Sequence, residues 1–301
     1  MQAFIGKTSG TVAVLGLLTA IPAAATPFTF STGNPDGKMA TATRPASAGK
    51  FEIESADDFA LTGSTSITSA TFTGLLKGAT VANIGKVRVE IYRVFPADSD
   101  VGRTSGSPTF STSQVPTRVN SPSDVEFDDR DTASSNLTFT TKVLSNSFTA
   151  LNTVQPGGIH PKPNQTTGGD GSVSGQEVEF DVTFTSPFSL PADHYFLAPQ
   201  VEITTAGGEF LWLSAPRPIV SPGTPFPAGL TDLQSWTRDQ FLAPDWLRIG
   251  TDIVGGETPP TFNATFSLVG QTIPEPASLS VLGAALAGMG LIRLRRRCTR
   301  P

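Results

Sequence analysis

The residues best able to do chemistry in this chain are carboxylates, and several stand in groups. Asp57 with Asp58, Asp98 with Asp100, and Asp128 and Asp129 with Asp131 each gather side-chain oxygens in a short stretch. Ca²⁺ takes about 6–8 oxygen ligands and is bound weakly by many extracellular modules, so each group is a candidate calcium site. Aspartate is equally the ordinary residue of turns, where it hydrogen-bonds nearby backbone. Two carboxylates about 5–10 Å apart beside a sugar cleft would hydrolyse a glycosidic bond. The acids permit that chemistry, and no motif singles it out. His160 lies in the turn-like Gly157-Gly158-Ile159-His160-Pro161, and His194 follows Pro191-Ala192-Asp193. Two histidines are too few for a His-rich zinc or iron site. The chain has no Gly-x-Ser-x-Gly elbow, His-Glu-x-x-His, phosphate-cradling loop or dinucleotide fingerprint. No catalytic residue is assigned. The expectation is a non-enzyme, with a secreted carboxylate-based polysaccharide hydrolase as the alternative.

A second kind of chemistry belongs to the tryptophans. Trp212 falls in the apolar run Phe210–Leu213 and reads as core. Trp236 and Trp246 flank a segment carrying Arg238, Asp239, Asp245 and Arg248. Aromatic rings beside charged side chains bind flat sugar faces by stacking and hydrogen bonding, which makes Trp236 and Trp246 the candidate ligand-binding residues. The other reading is that this segment caps one end of the fold and buries both rings.

The elements that must position these residues are strands. Val178, Phe180, Val182 and Phe184 alternate with Glu177, Glu179, Asp181 and Thr183, which predicts a strand with one wet face. The same period recurs at Val87, Val89 and Ile91 and at Phe262, Ala264, Phe266 and Leu268. Ile67–Leu76 and Leu137–Leu144 are similar, rich in the Thr and Phe that strands favour. Tyr195–Ile203 and Phe210–Leu213 are apolar on both parities, so they are expected to run through the middle of the structure, joined as a hairpin through Gly207-Gly208. Twenty-nine glycines, 25 prolines and the lack of long helical patterns agree with many short strands. The predicted fold class is all-β, an antiparallel, jelly-roll-like β-sandwich, with a closed barrel as runner-up. Three long loops, 102–131, 154–175 and 215–229, form either a ligand-facing rim or surface decoration.

Composition narrows the partners. Between Thr26 and Thr272 there are fifteen Lys and Arg against twenty-five Asp and Glu, a charge near −10. Nucleic acid and anionic lipid both require clustered basic residues, so neither is expected. The one cysteine, Cys298, lies near the C-terminus, which leaves the central segment without thiol chemistry or disulfides. About 250 residues bury enough surface to fold without them. No cofactor is expected beyond a weakly held calcium ion.

Both ends read as export signals. Lys7 precedes the apolar run Thr11–Ile21, and Ala23-Ala24-Ala25 offers small residues where a signal peptidase reads, at Ala23 and Ala25. That layout predicts a signal helix over residues 1–25 with cleavage before Thr26. At the other end stand Pro274-Glu275-Pro276, then sixteen uncharged residues Ala277–Ile292, then Arg293, Arg295, Arg296 and Arg297. Sixteen residues is short of the roughly 17–25 that span a bilayer, and terminal arginines extend the reach by snorkelling to the headgroups. The arginine cluster keeps the far end cytoplasmic and leaves everything before Pro274 outside. The two prolines hold the motif extended, where a processing enzyme can grip it. An uncut C-terminal anchor is the plainer alternative.

A rigid acidic tripeptide, a short membrane segment and a basic stop, in that order at a C-terminus, resemble the PEP-CTERM sorting tail of exported bacterial proteins. The resemblance covers residues 273–297. It implies that Pro274, Glu275 and Pro276 form the recognition motif for a sorting enzyme of exosortase type. It further implies that Ala277–Ile292 is a transient single transmembrane helix and Arg293–Arg297 the stop. The expected location is then membrane-anchored in transit and afterwards cell-surface or extracellular matrix. Within residues 26–272, the stretches Thr29–Gly37, Ala56-Asp57-Asp58-Phe59 and Phe210–Ser214 are similar to parts of uncharacterised exported β-sandwich domains. That likeness implies a fold and a compartment, with a structural or polysaccharide-adhesive role.

Overall fold

Fifteen strands and no α-helix make up the residues that the computed structural model describes, 24–99, 115–159 and 165–274. In chain order they are β1 (Pro27–Ser31), β2 (Met39–Ala42), β3 (Ile53–Leu61), β4 (Thr65–Lys77), β5 (Ile84–Arg93), β6 (Asp128–Asp131), β7 (Leu137–Ala150) and β8 (Asn152–Val154). There follow β9 (Val173–Leu190), β10 (Asp193–Ile203), β11 (Glu209–Ala215), β12 (Trp236–Asp239), β13 (Leu247–Arg248), β14 (Asn263–Ala264) and β15 (Phe266–Thr272). The fold is all-β, with antiparallel pairing throughout except for β2 with β8, which run parallel. The segment Thr26–Ile273 forms one compact unit.

The strands form two sheets. In the larger, β4 is the spine. One side of it pairs with β9 along nearly its whole length, and β9 in turn with β7. Its other side pairs with β15 through its first half and with β11 through its second. β1 then adds to β15, β2 and β14 to β11, and β8 to β2. The smaller sheet has the order β13-β12-β3-β10-β5-β6.

Period-two alternation decides which face of β9 is dry. Val178, Phe180, Val182 and Phe184 on β9 are buried, while Asp181 and Thr183 between them are exposed. Their cross-strand neighbours on β4 are Gly74, Phe72 and Ala70. Phe72 and Phe180 are directly opposite and stack with centroids 4.8 Å apart, the kind of cross-strand aromatic pair that stabilises a sheet. Gly74 has no side chain because the Phe210 ring and the Leu211 carbonyl occupy that space. The resulting apolar cluster also takes in Phe59 and Leu61 of β3, Val87, Val89 and Ile91 of β5, and Tyr195 and Leu197 of β10. Both sheets therefore contribute to one core.

Two further apolar clusters lie on other faces. Leu211 and Leu213 of β11 join Met39, Ala42 and Leu75 in the second. Ala56, Tyr92, Phe196, Trp236 and Trp246 make the third. This accounts for β10 and β11, whose both-parity apolar runs are buried on both faces. The expected hairpin between them does not form. β10 pairs with β3 and β5 in the smaller sheet, and β11 with β2, β4 and β14 in the larger. The turn at Gly207-Gly208 instead carries the chain from one sheet to the other, with Gly207 in the left-handed region at φ 72°. A strand buried on both faces needs partners on either side within its own sheet, and local turn residues do not reveal which sheet that is.

Among the described residues no helix is long and apolar enough to cross a membrane. The expected signal helix, Ala23 of the cleavage site, Glu275, Pro276, the segment Ala277–Ile292 and Arg293, Arg295, Arg296 and Arg297 lie outside them. Ala25 is exposed and precedes β1 in the chain, Pro274 follows β15, and Thr26 and Thr272 hydrogen-bond each other.

Candidate functional site

On the smaller sheet, β12 pairs with β13 on one side and β3 on the other, which sets Trp236 opposite Arg248 and Ala56. Facing cross-strand residues project to the same side, so the indole and the guanidinium lie together. Beside them is a hollow of about 240 Å³, somewhat below the roughly 300–1,000 Å³ of sites that take drug-sized ligands. Leu233 and Trp236 are its buried part, while Val119, Asn120 and Thr231 are exposed at its rim. Thr117, Gln234, Arg217 and Arg248 supply the rest of its lining.

Both arginines are fixed from behind. Arg248 donates from Nε and Nη2 to the Asp252 carboxylate. Arg217 donates from Nε and Nη2 to the Asp232 carbonyl. Neither Nη1 makes a hydrogen bond among the described residues. The Trp236 indole Nε1 and the Gln234 Oε1 are likewise buried without a hydrogen-bond partner among them. Trp236 is 1% exposed, and leaving a buried donor unpaired costs about 1–3 kcal/mol. Among the buried side-chain atoms left without a partner, these two fall on neighbouring lining residues of the hollow.

The two loops that frame this hollow are pinned by buried charge. Arg118 forms ion pairs with Asp124 and Asp245 and lies over the Phe95 ring, 4.6 Å from its centroid. Asp57 and Asp58, adjacent on β3, point to opposite faces of the strand, as the pleat requires. Asp57 accepts from Ser235 Oγ at 2.8 Å and from the Ala264 amide at 2.9 Å. Asp58 accepts from the Leu233 amide and bonds His194 Nε2 at 2.5 Å. The pair thus grips the chain on either side of Gln234. Burial pushes the Asp57 carboxyl well above its ordinary value, and the neighbouring Asp58 charge adds to that. Burial also raises Asp58, with His194 offsetting part of the rise.

A second buried network lies on the same face. Glu54 of β3 receives the guanidinium of Arg238 and the Tyr92 hydroxyl. Glu90 accepts from Tyr92 at 3.2 Å and pairs with Arg88 at 2.6 Å. Arg238 is sandwiched in turn against Trp246, 4.3 Å from the ring centroid. Burial raises the Glu54 carboxyl, but Arg238 outweighs it and holds the group below 4.5. Burial and the Glu54 charge push Glu90 well above 4.5. Two carboxyls driven apart in this way are the pattern of an acid and base pair. Here both are buried and their oxygens already serve Arg238, Arg88 and Tyr92.

Trp246 is fully buried, donates to the Ser123 carbonyl at 3.0 Å and packs edge-on to Tyr92. Neither Trp236 nor Trp246 offers an open ring face for a sugar to stack on. Trp236 borders the hollow with its ring buried, and Trp246 belongs to the core of the cap. Trp212 is core as well, donating to Thr265.

Most of the remaining candidate acids serve local structure. Asp98 forms a two-pronged pair with Arg93, Asp128 bonds Arg130, Asp129 bonds Arg88, and Asp131 accepts from the Ser134 amide and hydroxyl. Asp100 and His160 lie outside the described residues. Among the described residues no group of three or more His, Cys, Asp or Glu is placed to hold a metal ion.

Two of the three long loops meet at the hollow, through Thr117, Val119 and Asn120 from one and Arg217 from the other. The loop 154–175 goes elsewhere, with Thr167 and Gly168 bonded to Ile253 and Val254. Arg217 and Gln234 carry no sequence signal of their own; the proline-rich stretch 215–229 and the Leu233 to Arg248 segment around them were the only pointers. No protein-family model matches the chain, and no curated protein or solved structure matches it.

Proposed function

We propose that this is an exported surface or extracellular-matrix protein, sorted through its PEP-CTERM-like tail by an enzyme of exosortase type. Its β-domain, a sandwich of the two sheets around their common core, holds extracellular polysaccharide without cleaving it. The address rests on the sequence of the two ends, Ala23 to Ala25 and Pro274 to Arg297. The observation that carries the binding reading is the hollow beside Trp236, whose lining keeps two buried polar atoms unpaired. The non-enzymatic part is supported by the acids: Asp57, Asp58, Glu54 and Glu90 are each at most 5% exposed and engaged with neighbours. Glycoside hydrolysis needs its two carboxyls at the substrate.

The sorting half is tested by replacing Pro274, Glu275 and Pro276 with alanine in the producing organism and fractionating the cells. The expected result is a chain that stays in the membrane fraction with its tail uncut, while the unaltered chain reaches the surface or medium. Normal processing of the triple variant would rule the tripeptide out as a sorting motif.

A further inference from the structure

We propose that the hollow beside Trp236 binds the carboxylate of an acidic sugar, a uronate or closely related hydroxy acid, between Arg217 and Arg248. This rests on the polysaccharide reading and adds the charge of the ligand. Two arginines and no acid line the hollow, in a segment whose overall charge is near −10. The lining therefore presents guanidinium groups to a ligand while the carboxylates paired with them, Asp252 and Asp232, stand behind. Asp252 and Asp232 hold the two guanidinium groups by Nε and Nη2, leaving Nη1 of each without a hydrogen bond among the described residues. Guanidinium N–H groups and a carboxylate make short, charge-assisted hydrogen bonds, about twice as strong as neutral ones.

The unpaired atoms fix what else the ligand carries. Trp236 Nε1 is a donor and needs an acceptor; Gln234 Oε1 is an acceptor and needs a donor. A ring bearing both a carboxylate and hydroxyl groups supplies all three requirements at once. A fully deprotonated anion such as sulfate lacks the hydroxyl donor, and a neutral sugar leaves the guanidinium ends without an anion. Since Trp236 is 1% exposed, the indole contributes its N–H edge and not a stacking face. The volume, about 240 Å³, suits one sugar unit of a longer chain whose neighbours pass over the exposed rim at Val119 and Asn120. Two arginines match a single carboxylate; the phosphate ladder of a nucleic acid needs many more cations.

The test uses the full-length chain purified in detergent, titrated calorimetrically and by tryptophan fluorescence with three probes: trigalacturonate, its methyl ester and cellotriose. Trigalacturonate is expected to bind, with the ester and cellotriose at least about tenfold weaker, a difference of about 1.4 kcal/mol. Arg248→Gln and Arg217→Gln are each expected to weaken trigalacturonate about tenfold and to leave cellotriose unchanged. Trp236→Phe, which keeps the ring and removes the N–H, is expected to weaken binding severalfold and abolish the ligand-dependent fluorescence change. Variants are compared only where their thermal melts match the unaltered chain, and Trp236→Phe serves if an arginine variant does not fold. Equal binding of all three probes, or binding indifferent to Arg217, Arg248 and Trp236, would overturn the acidic-sugar assignment and leave the polysaccharide reading standing. Failure to bind any of the three, together with failure to bind any larger neutral or acidic glycan on an array, would overturn both.

Discussion

Truncating Phe180 to alanine is expected to lower the unfolding free energy by about 3–5 kcal/mol, the usual loss for a buried phenylalanine that leaves a cavity. Phe180 is fully buried, stacks on Phe72 at 4.8 Å and meets Phe210 edge-on at 5.3 Å. Those neighbours belong to β4 and β11, so the ring ties three strands of the larger sheet to the shared core. Rigid strand backbones on both sides prevent collapse into the space. Thr183, three positions on and of opposite parity, is exposed; Thr183→Ala is expected to cost no more than about 0.5 kcal/mol. Urea denaturation of the two variants gives the contrast. Equal losses would mean that β9 is buried on both faces or is not a strand.

The second large effect lies at the cap. Arg238→Met removes the guanidinium that faces the buried Glu54 carboxylate and fills the space beside Trp246. Breaking a buried pair by deleting one partner typically costs about 3–5 kcal/mol, because a charge is left without compensation. The pH dependence gives the mechanism. In the unaltered protein the folded-state pKa of Glu54 is lowered, so its contribution to stability is present above the unfolded value near 4.5 and is lost as pH falls through the folded one. Without Arg238, only the hydrogen bonds to Tyr92 and Glu90 oppose burial, and the carboxyl is expected to rise, which reverses the sign: stability is then lost as pH rises past about 4.5. The deficit of Arg238→Met should therefore be large at pH 7 and shrink toward pH 4, where Glu54 of the variant is mostly neutral both folded and unfolded. Adding Glu54→Gln should recover part of the loss at pH 7. A deficit independent of pH would mean that Arg238 acts through packing on Trp246 alone.

Strand identity was legible wherever one face is wet. The alternation at Val178–Phe184 translates directly into a dry and a wet side, since side chains in a strand reverse with every residue; that at Val87–Ile91 does not, because Glu90 and Tyr92 on the other parity are buried as well. Burial of β10 and β11 on both faces was legible too, from apolar residues on both parities. Their allocation to different sheets was not, because Gly207-Gly208 permits a tight turn without dictating whether the strands pair or part. The hollow beside Trp236 was legible least. Thr117, Arg217, Gln234 and Arg248 are brought together only by β12 pairing with β13 and by loops held down through Arg118, Asp57 and Asp58. Trp236 drew attention as an aromatic beside charges, but its burial depends on the third apolar cluster, formed from β3, β5, β10 and the cap. The aspartate pair at 57 and 58 reads in sequence as a calcium candidate or a turn. In the structure it is a brace, placed mid-strand, with each carboxyl gripping backbone or side chain of the segment that carries Gln234.

The claim on which the whole account rests is that the chain is exported and trimmed at both ends, leaving the β-domain outside the cell. Intact-mass analysis of the protein recovered from the cell surface or medium tests this most directly. The expected species begins at Thr26 and has lost the segment Ala277–Ile292 together with Arg293, Arg295, Arg296 and Arg297. Recovery of the protein only from the cytoplasm, or of a surface form still carrying those arginines, would contradict it.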